Sequence, residues 1–134
     1  MIEGSAVNFG MCVLIWIVQL VIYPSFEEIE ESRFPRWHKK YTFRISLIVL
    51  PLMISQVVLL GRLIYHNSFN TVFIIQGLLI FVAWVVTFTL SVPCHKKLSE
   101  KKDTYQIKRL IASNWLRTAA WTITSILDLV NLTC

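Results

Sequence analysis

Two ionisable side chains sit in a stretch that is otherwise apolar enough to be a membrane helix. Between Leu110 and Leu132 the chain carries Arg117 and Asp128. Asn114, Arg117, Trp121, Thr124 and Asp128 follow one another at steps of three and four, which lines one face of an α-helix. Ionisable groups inside such segments are costly, and they face a bundle interior or a water-filled cavity. Arg117 lies beyond Arg109 by two helical turns, so at 1.5 Å per residue it stands roughly 12 Å deeper. An unpaired arginine at the centre of a span costs at least about 2.5–3.5 kcal/mol, and no Asp or Glu is expected at its depth. Two chemistries answer that cost. One is a set of carbonyls, amides and hydroxyls such as Gln56, Gln19 and Ser91. The other is an anionic ligand: a carboxylate, a phosphate headgroup or the polar end of a quinone-like molecule. At the far end of the same stripe, Asp128 is expected near Arg62, as a pair or through water; the alternative is that each reaches the interface alone.

His38 and His95 fall just before and just after apolar runs, and both are expected at one edge of the membrane, where they converge. Two histidines do not specify a metal site, and no metal is expected. His66 belongs to the opposite edge. Cys12, Cys94 and Cys134 show no CxxC or zinc spacing and read as small apolar residues or free thiols, with Cys94 close enough to a membrane edge for acylation.

The elements that must position these residues are apolar and long. Of 134 residues, 55% are hydrophobic, the mean hydropathy is +0.60, and Thr71 to Val92 holds no charge over the roughly 20 residues that a hydrocarbon core of about 30 Å demands. The pattern predicts an all-α, integral membrane four-helix bundle with up-down topology. It forms a single transmembrane domain over 1–134, with helices at about 6–23, 43–65, 71–92 and 110–132. The first segment is expected to stop at Pro24 and the third at Pro93. Pro35 suits a first helical turn, so the second helix begins outside the membrane, and Phe34, Trp37 and Tyr41 suit the interface. The link His66-Asn67-Ser68-Phe69-Asn70 is short enough to make helices two and three antiparallel neighbours. Asp103 or Thr104 is expected to cap helix four. With Glu3 the one charge before the first apolar run and no basic region ahead of it, that run reads as a retained helix rather than a signal peptide.

Charge gives direction. The formal net charge is +5 and the pI about 9.3, without the aromatic–basic interleaving of a nucleic-acid face, so no nucleic-acid partner is expected. Arg33, Arg36, Lys39, Lys40 and Arg44 flank loop 24–42, and Lys96, Lys97, Lys101, Lys102, Lys108 and Arg109 flank loop 93–109. These are eleven of the thirteen Lys and Arg residues. Positive-inside then places both loops in the cytoplasm and both termini outside, in what is expected to be a bacterial cytoplasmic (inner) membrane.

Gln19-Leu20-Val21-Ile22-Tyr23-Pro24, Phe34 through His38, Arg44-Ile45, Pro51-Leu52-Met53, Val92-Pro93-Cys94-His95 with Leu98, and Asn114-Trp115-Leu116-Arg117-Thr118 with Trp121-Thr122 together resemble a family of small bacterial four-helix hypothetical membrane proteins. The likeness covers nearly the whole chain. The layout is more loosely similar to anthrone-oxygenase-like membrane proteins. The family pattern often carries a histidine where this chain has Tyr41 and a glutamate where it has Gln56. The departures argue against a histidine–carboxylate metal centre here and remove a glutamate partner for Arg117. His38, His95, Asn114 and Arg117 are the matching positions that remain.

The reading is a binding or accessory membrane protein with an anion- or headgroup-accommodating polar seam near Arg117. Its site candidates are Arg117, Asn114, His38, His95, Gln56, Gln19 and Trp121. The alternatives are a small membrane oxidoreductase or oxygenase acting on a lipid-soluble substrate, and a structural subunit of a larger complex. The partners implied are the lipid bilayer, an amphipathic or anionic small molecule and a second membrane protein. The sequence names no cofactor and does not decide whether the protein is an enzyme.

Overall fold

The computed structural model describes residues 2–67 and 70–133; Cys134 and the Ser68-Phe69 step of the second link lie outside the described residues. Four long helical rods make up the fold: α1 (Ile2–Glu28), α2 (Phe34–Asn67), α3 (Thr71–Leu98) and α4 (Thr104–Thr133). The described residues contain no strand. By length and composition α1, α2 and α3 can each cross a membrane. α4 has the length, at 30 residues, but its polar stripe lowers its hydropathy below theirs.

Neither proline ends its helix. In α1 the backbone passes through a π-turn, Val18–Ile22, where the Tyr23 N–H reaches back to the Val18 carbonyl. In α3 the same happens at Thr87–Ser91, where the Val92 N–H reaches Thr87. Proline lacks an N–H, and its ring clashes with the carbonyl four residues back. Each wider turn lies immediately ahead of Pro24 or Pro93, so helical backbone continues beyond both rings. The expected ends at Pro24 and Pro93 are therefore corrected: α1 continues through a 3-10 turn at Phe26–Glu28, and α3 runs to Leu98.

Capping follows the sequence more closely. Asp103 Oδ1 accepts from the Tyr105 N–H at 2.9 Å and starts α4, and Asn70 Oδ1 accepts from the Val72 N–H at 3.0 Å and starts α3. Pro35 falls in the first turn of α2. Lys102 ties two loops together by donating to the carbonyls of Glu27 and Ile29, at 2.8 and 2.6 Å. Those are the orphan acceptors past the end of α1.

α4 is inside out relative to a helix packed in water. Asn114, Arg117, Thr118, Thr124, Ser125 and Asp128 are buried, while Leu116, Ile123, Ile126, Leu129 and Val130 are exposed. α1 and α3 pack closely on α4. α2 is the least embedded rod: 11% of its apolar window is buried, against 33% for α1 and 28% for α3.

The core is aromatic at the end holding loops 24–42 and 93–109. Phe26 is fully buried and contacts Phe34, Trp37, His38 and Tyr41 edge-on, with ring centroids 5.3–5.8 Å apart. Offset and edge-to-face pairs of this kind add to the area they bury. Phe34, expected at the interface, is instead fully buried in this cluster. Cys94 is 1% exposed, so its thiol belongs to the core and is not presented for acylation.

Candidate functional site

The seven candidates form one polar seam, built from α4 outward. Asn114 and Arg117, one helical turn apart, share a face, and the Asn114 side-chain carbonyl accepts from Arg117 Nε at 2.8 Å and again from Nη2. Asn114 is held in turn by Gln19 of α1: its Nδ2 donates to Gln19 Oε1 at 2.7 Å, and Gln19 Nε2 donates to the Ile111 carbonyl at 3.2 Å. The two π-turns deliver the remaining partners. Tyr23, at the end of the first, accepts from Arg117 Nη2 at 3.0 Å, and Thr87, at the start of the second, accepts from Nη1 at 3.2 Å. The guanidinium carbon stands 5.9 Å from the Trp121 ring centroid.

Arg117 is thus 6% exposed and surrounded by neutral groups. Among the described residues the one ion pair is Arg33–Glu30 at 3.5 Å, on the surface. A guanidinium has five N–H donors. The protein takes Nε, both hydrogens of Nη2 and one of Nη1, which leaves one Nη1 hydrogen free and the positive charge without an anionic partner among the described residues.

Arg117 itself lines a cavity of about 520 Å³. Its floor is buried: Met11, Ile15, Val18 and Tyr23 of α1, and Arg117 and Trp121 of α4. Its rim is exposed: Leu50 of α2, and Phe88, Val92 and Lys96 of α3. The cavity therefore opens sideways between α2 and α3. Its lining is mostly apolar, with Thr87, Ser91, His95 and Ser99 spaced along α3. Ser91 Oγ is buried and has no hydrogen-bond partner among the described residues.

No family model, curated protein or solved structure matches this chain. The site must be read from its own geometry.

Alongside the cavity runs a line of hydrogen bonds. Tyr23 Oη lies 3.1 Å from His95 Nε2, His95 Nδ1 lies 2.9 Å from His38 Nε2, and His38 Nδ1 lies 2.9 Å from Ser99 Oγ. The two histidines do converge, and their rings stack at 5.1 Å. Their polarity follows from the ends of the line. Ser99 gives its hydrogen to the His95 carbonyl at 3.0 Å, so it accepts from His38 Nδ1–H. His38 Nε2 is then the acceptor for His95 Nδ1–H. His95 Nε2 in turn accepts from Tyr23, whose oxygen already accepts from Arg117. Every group is satisfied with both imidazoles neutral.

The other end of the seam is closed. Asp128 accepts from Asn8 Nδ2 at 2.6 Å and from Gln76 Nε2 at 2.8 Å. Asn8 Oδ1 accepts from Gln56 Nε2 at 2.7 Å, and Gln56 Oε1 accepts from Trp121 Nε1 at 3.0 Å. The expected Arg62–Asp128 pair is not formed as an ion pair. Arg62 is exposed and lines a separate shallow pocket with Glu3 and His66, while two amides occupy the Asp128 carboxylate. Similar depth in two helices does not turn both side chains to the same azimuth.

Of the seven candidates, Arg117, His95 and Trp121 line the cavity. Asn114, Gln19, His38 and Gln56 stand behind them as supports. Ser91, expected as a partner of Arg117, lines the same cavity without bonding to that side chain, and Tyr23, Thr87, Gln76 and Ser99 were not among the sequence candidates. Tyr23 was masked by its neighbour Pro24. Gln76 carries one legible signal, a lone amide inside an uncharged apolar run. Among the described residues no three His, Cys, Asp or Glu side chains are grouped to share a metal ion. The two histidines spend all four ring nitrogens on each other, Tyr23 and Ser99.

Proposed function

We propose that this protein is a four-crossing, up-down membrane bundle, with both termini extracytoplasmic, that binds the anionic head of an amphipathic, lipid-soluble molecule beside Arg117. The observation that carries the reading is a buried guanidinium with no counter-charge in the wall of a 520 Å³ apolar cavity open between α2 and α3. A ligand carboxylate, sulfate or phosphate would supply the missing charge in a low-dielectric site, where such a contact is strong. Its tail would follow the apolar lining and leave between two helices rather than at the end of the bundle, which suits a ligand arriving from the bilayer. The fourth crossing is supported by α4 itself. Its outward face is Leu, Ile and Val and its polar face is buried, an arrangement suited to lipid and poorly suited to water. The basic loops at one end support placing that end in the cytoplasm. A small membrane enzyme acting on a lipid-soluble substrate is the second reading, favoured by the Tyr23–His95–His38 line beside the same cavity.

Native mass spectrometry in mild detergent tests the binding reading. Wild-type protein is expected to retain added hexadecyl sulfate, a permanently charged single-chain amphiphile. Arg117→Leu is expected to bind it at least about 30-fold more weakly, the scale of one charged hydrogen bond in a buried site. Equal retention by the two proteins, or none by the wild type, overturns the reading.

A further inference from the structure

We infer that the natural ligand is a weak acid that enters neutral and ionises beside Arg117, and that the line Tyr23–His95–His38–Ser99 carries its proton from the Arg117 end of the cavity to the partly exposed Ser99 end. The inference rests on the anion-binding reading above and adds to it the class of head group and the fate of a proton.

Three observations lead there. First, the mouth lies between apolar helices, with Leu50, Phe88 and Val92 at the rim. An anion moved through hydrocarbon pays a very large desolvation cost, and a neutral acid avoids it. Second, the floor of the same cavity holds the uncompensated Arg117, and an opposite charge at hydrogen-bond range favours the ionised form of a carboxylic acid. One proton must then leave for each molecule that binds. Third, the hydrogen-bond line has a polarity fixed by its own ends. Each donor points from Tyr23, beside Arg117, toward Ser99: Tyr23 O–H to His95 Nε2, His95 Nδ1–H to His38 Nε2, and His38 Nδ1–H to Ser99 Oγ.

The balance is simple. The ligand's O–H bond breaks and its proton goes to Tyr23 Oη. The Tyr23 proton moves to His95 Nε2, the His95 Nδ1 proton to His38 Nε2, and the His38 Nδ1 proton to Ser99 Oγ and on to water. The ligand is left as an anion against the Arg117 guanidinium, and no electron changes hands. The three hops within the protein span 2.9–3.1 Å, within the reach of direct transfer. Ser99 is partly exposed, at the same end as the exposed Lys96 and Lys97, so the line finishes near the basic loops. The titratable and charged groups around His95 are His38 and Tyr41 from α2 and Tyr23 from α1, with Arg117 of α4 reached through Tyr23. None is a carboxylate that would hold the proton part-way. His38 is fully buried and does not line the cavity, which gives it no role in contacting the ligand and makes it the place to cut the line.

The test compares two amphiphiles of equal chain length in stopped-flow, with a pH-indicating dye in weakly buffered detergent solution. In solution acidic enough to keep detergent-bound palmitic acid protonated, it should bind with release of one proton, and hexadecyl sulfate should bind with none. His38→Gln should slow the palmitic-acid proton signal by about 100-fold, the low end of what a positioned proton-transfer group contributes. The same variant should weaken hexadecyl sulfate binding by no more than several-fold, far less than it slows the proton signal. That second measurement also shows that the variant is folded. Ser99→Ala, at the partly exposed end, should slow the proton signal in the same sense. Wild-type proton release from both variants overturns the relay while leaving the anion site standing. Palmitic acid bound without proton release overturns the weak-acid inference. Failure of both amphiphiles to bind wild type removes the anion site itself, and the relay with it.

Discussion

Asp128 and Arg117 lie on one face of one helix, three turns apart, and both are buried, at 8% and 6% exposure. Their surroundings differ in one respect: whether the partners close. Asp128 meets two amide donors, from Asn8 and Gln76, and the space beside it measures about 10 Å³, at the lower limit for a single water. Arg117 meets a carbonyl, a phenol and a hydroxyl, none of them charged, and faces about 520 Å³. A buried polar network that is fully satisfied fixes a core, and one left open costs stability. The Asp128 end therefore reads as the lock of the bundle and the Arg117 end as its site. Burial alone would have ranked the two together.

The comparison is broken most severely by removing each charge in turn. Asp128→Ala strands two buried amide donors, each worth about 1–3 kcal/mol when left unpaired, so the bundle should lose about 2–5 kcal/mol. Asp128→Asn, which keeps an acceptor oxygen, should lose less. Arg117→Leu removes a cation that no protein group neutralises but leaves the buried Asn114 Oδ1 unpaired; the two effects oppose, so stability should change by less than about 1 kcal/mol while ligand binding collapses, the trade expected where a site is held at the expense of stability. Equilibrium unfolding in mixed micelles measures all three. If Arg117→Leu costs as much as Asp128→Ala, the guanidinium is a structural anchor and the distinction between the two ends is lost.

Gln56 sharpens the comparison because it joins the ends. Its carbonyl accepts from Trp121, which faces the cavity, and its amide donates to Asn8 in the lock. Gln56→Leu should cost about 1–3 kcal/mol by leaving the buried indole N–H unpaired. It should also weaken amphiphile binding several-fold, because Trp121 loses the bond that sets its ring beside Arg117. A loss of stability with unchanged affinity would mean that the two ends are independent.

Much of this was legible in the sequence, for a physical reason. α4 shows its stripe because helical periodicity is local, and all five residues from Asn114 to Asp128 are buried as the spacing requires. The convergence of His38 and His95 followed from placing two loops on one side. The π-turns were hidden, because a proline in an apolar run reads as a stop and nothing local reveals that the helix widens and continues. Hidden with them were the roles of Tyr23 and Thr87, which those turns rotate toward Arg117. Arg62 and Asp128 form no direct ion pair for a related reason: sequence gives depth along a helix but not the rotation of one helix against another.

The smallest expected effect separates the ends by sign. Ser91 Oγ is buried, faces the cavity and lacks a partner among the described residues. Ser125 Oγ is equally buried but donates to the Asn8 carbonyl at 3.1 Å in the lock. Losing a satisfied hydrogen bond costs about 1 kcal/mol, whereas deleting an unsatisfied buried hydroxyl relieves a penalty of similar size. Ser125→Ala should therefore destabilise the empty bundle by about 1 kcal/mol, and Ser91→Ala should leave it unchanged or stabilise it by up to about 1 kcal/mol. The order reverses for the ligand, since Ser91 offers the head group a hydroxyl at the cavity wall and Ser125 does not touch the cavity. Binding of hexadecyl sulfate should fall several-fold in Ser91→Ala and stay level in Ser125→Ala. Parallel unfolding and binding curves on this pair carry the test. A loss of stability in Ser91→Ala matching that in Ser125→Ala would mean that the cavity end is closed as well.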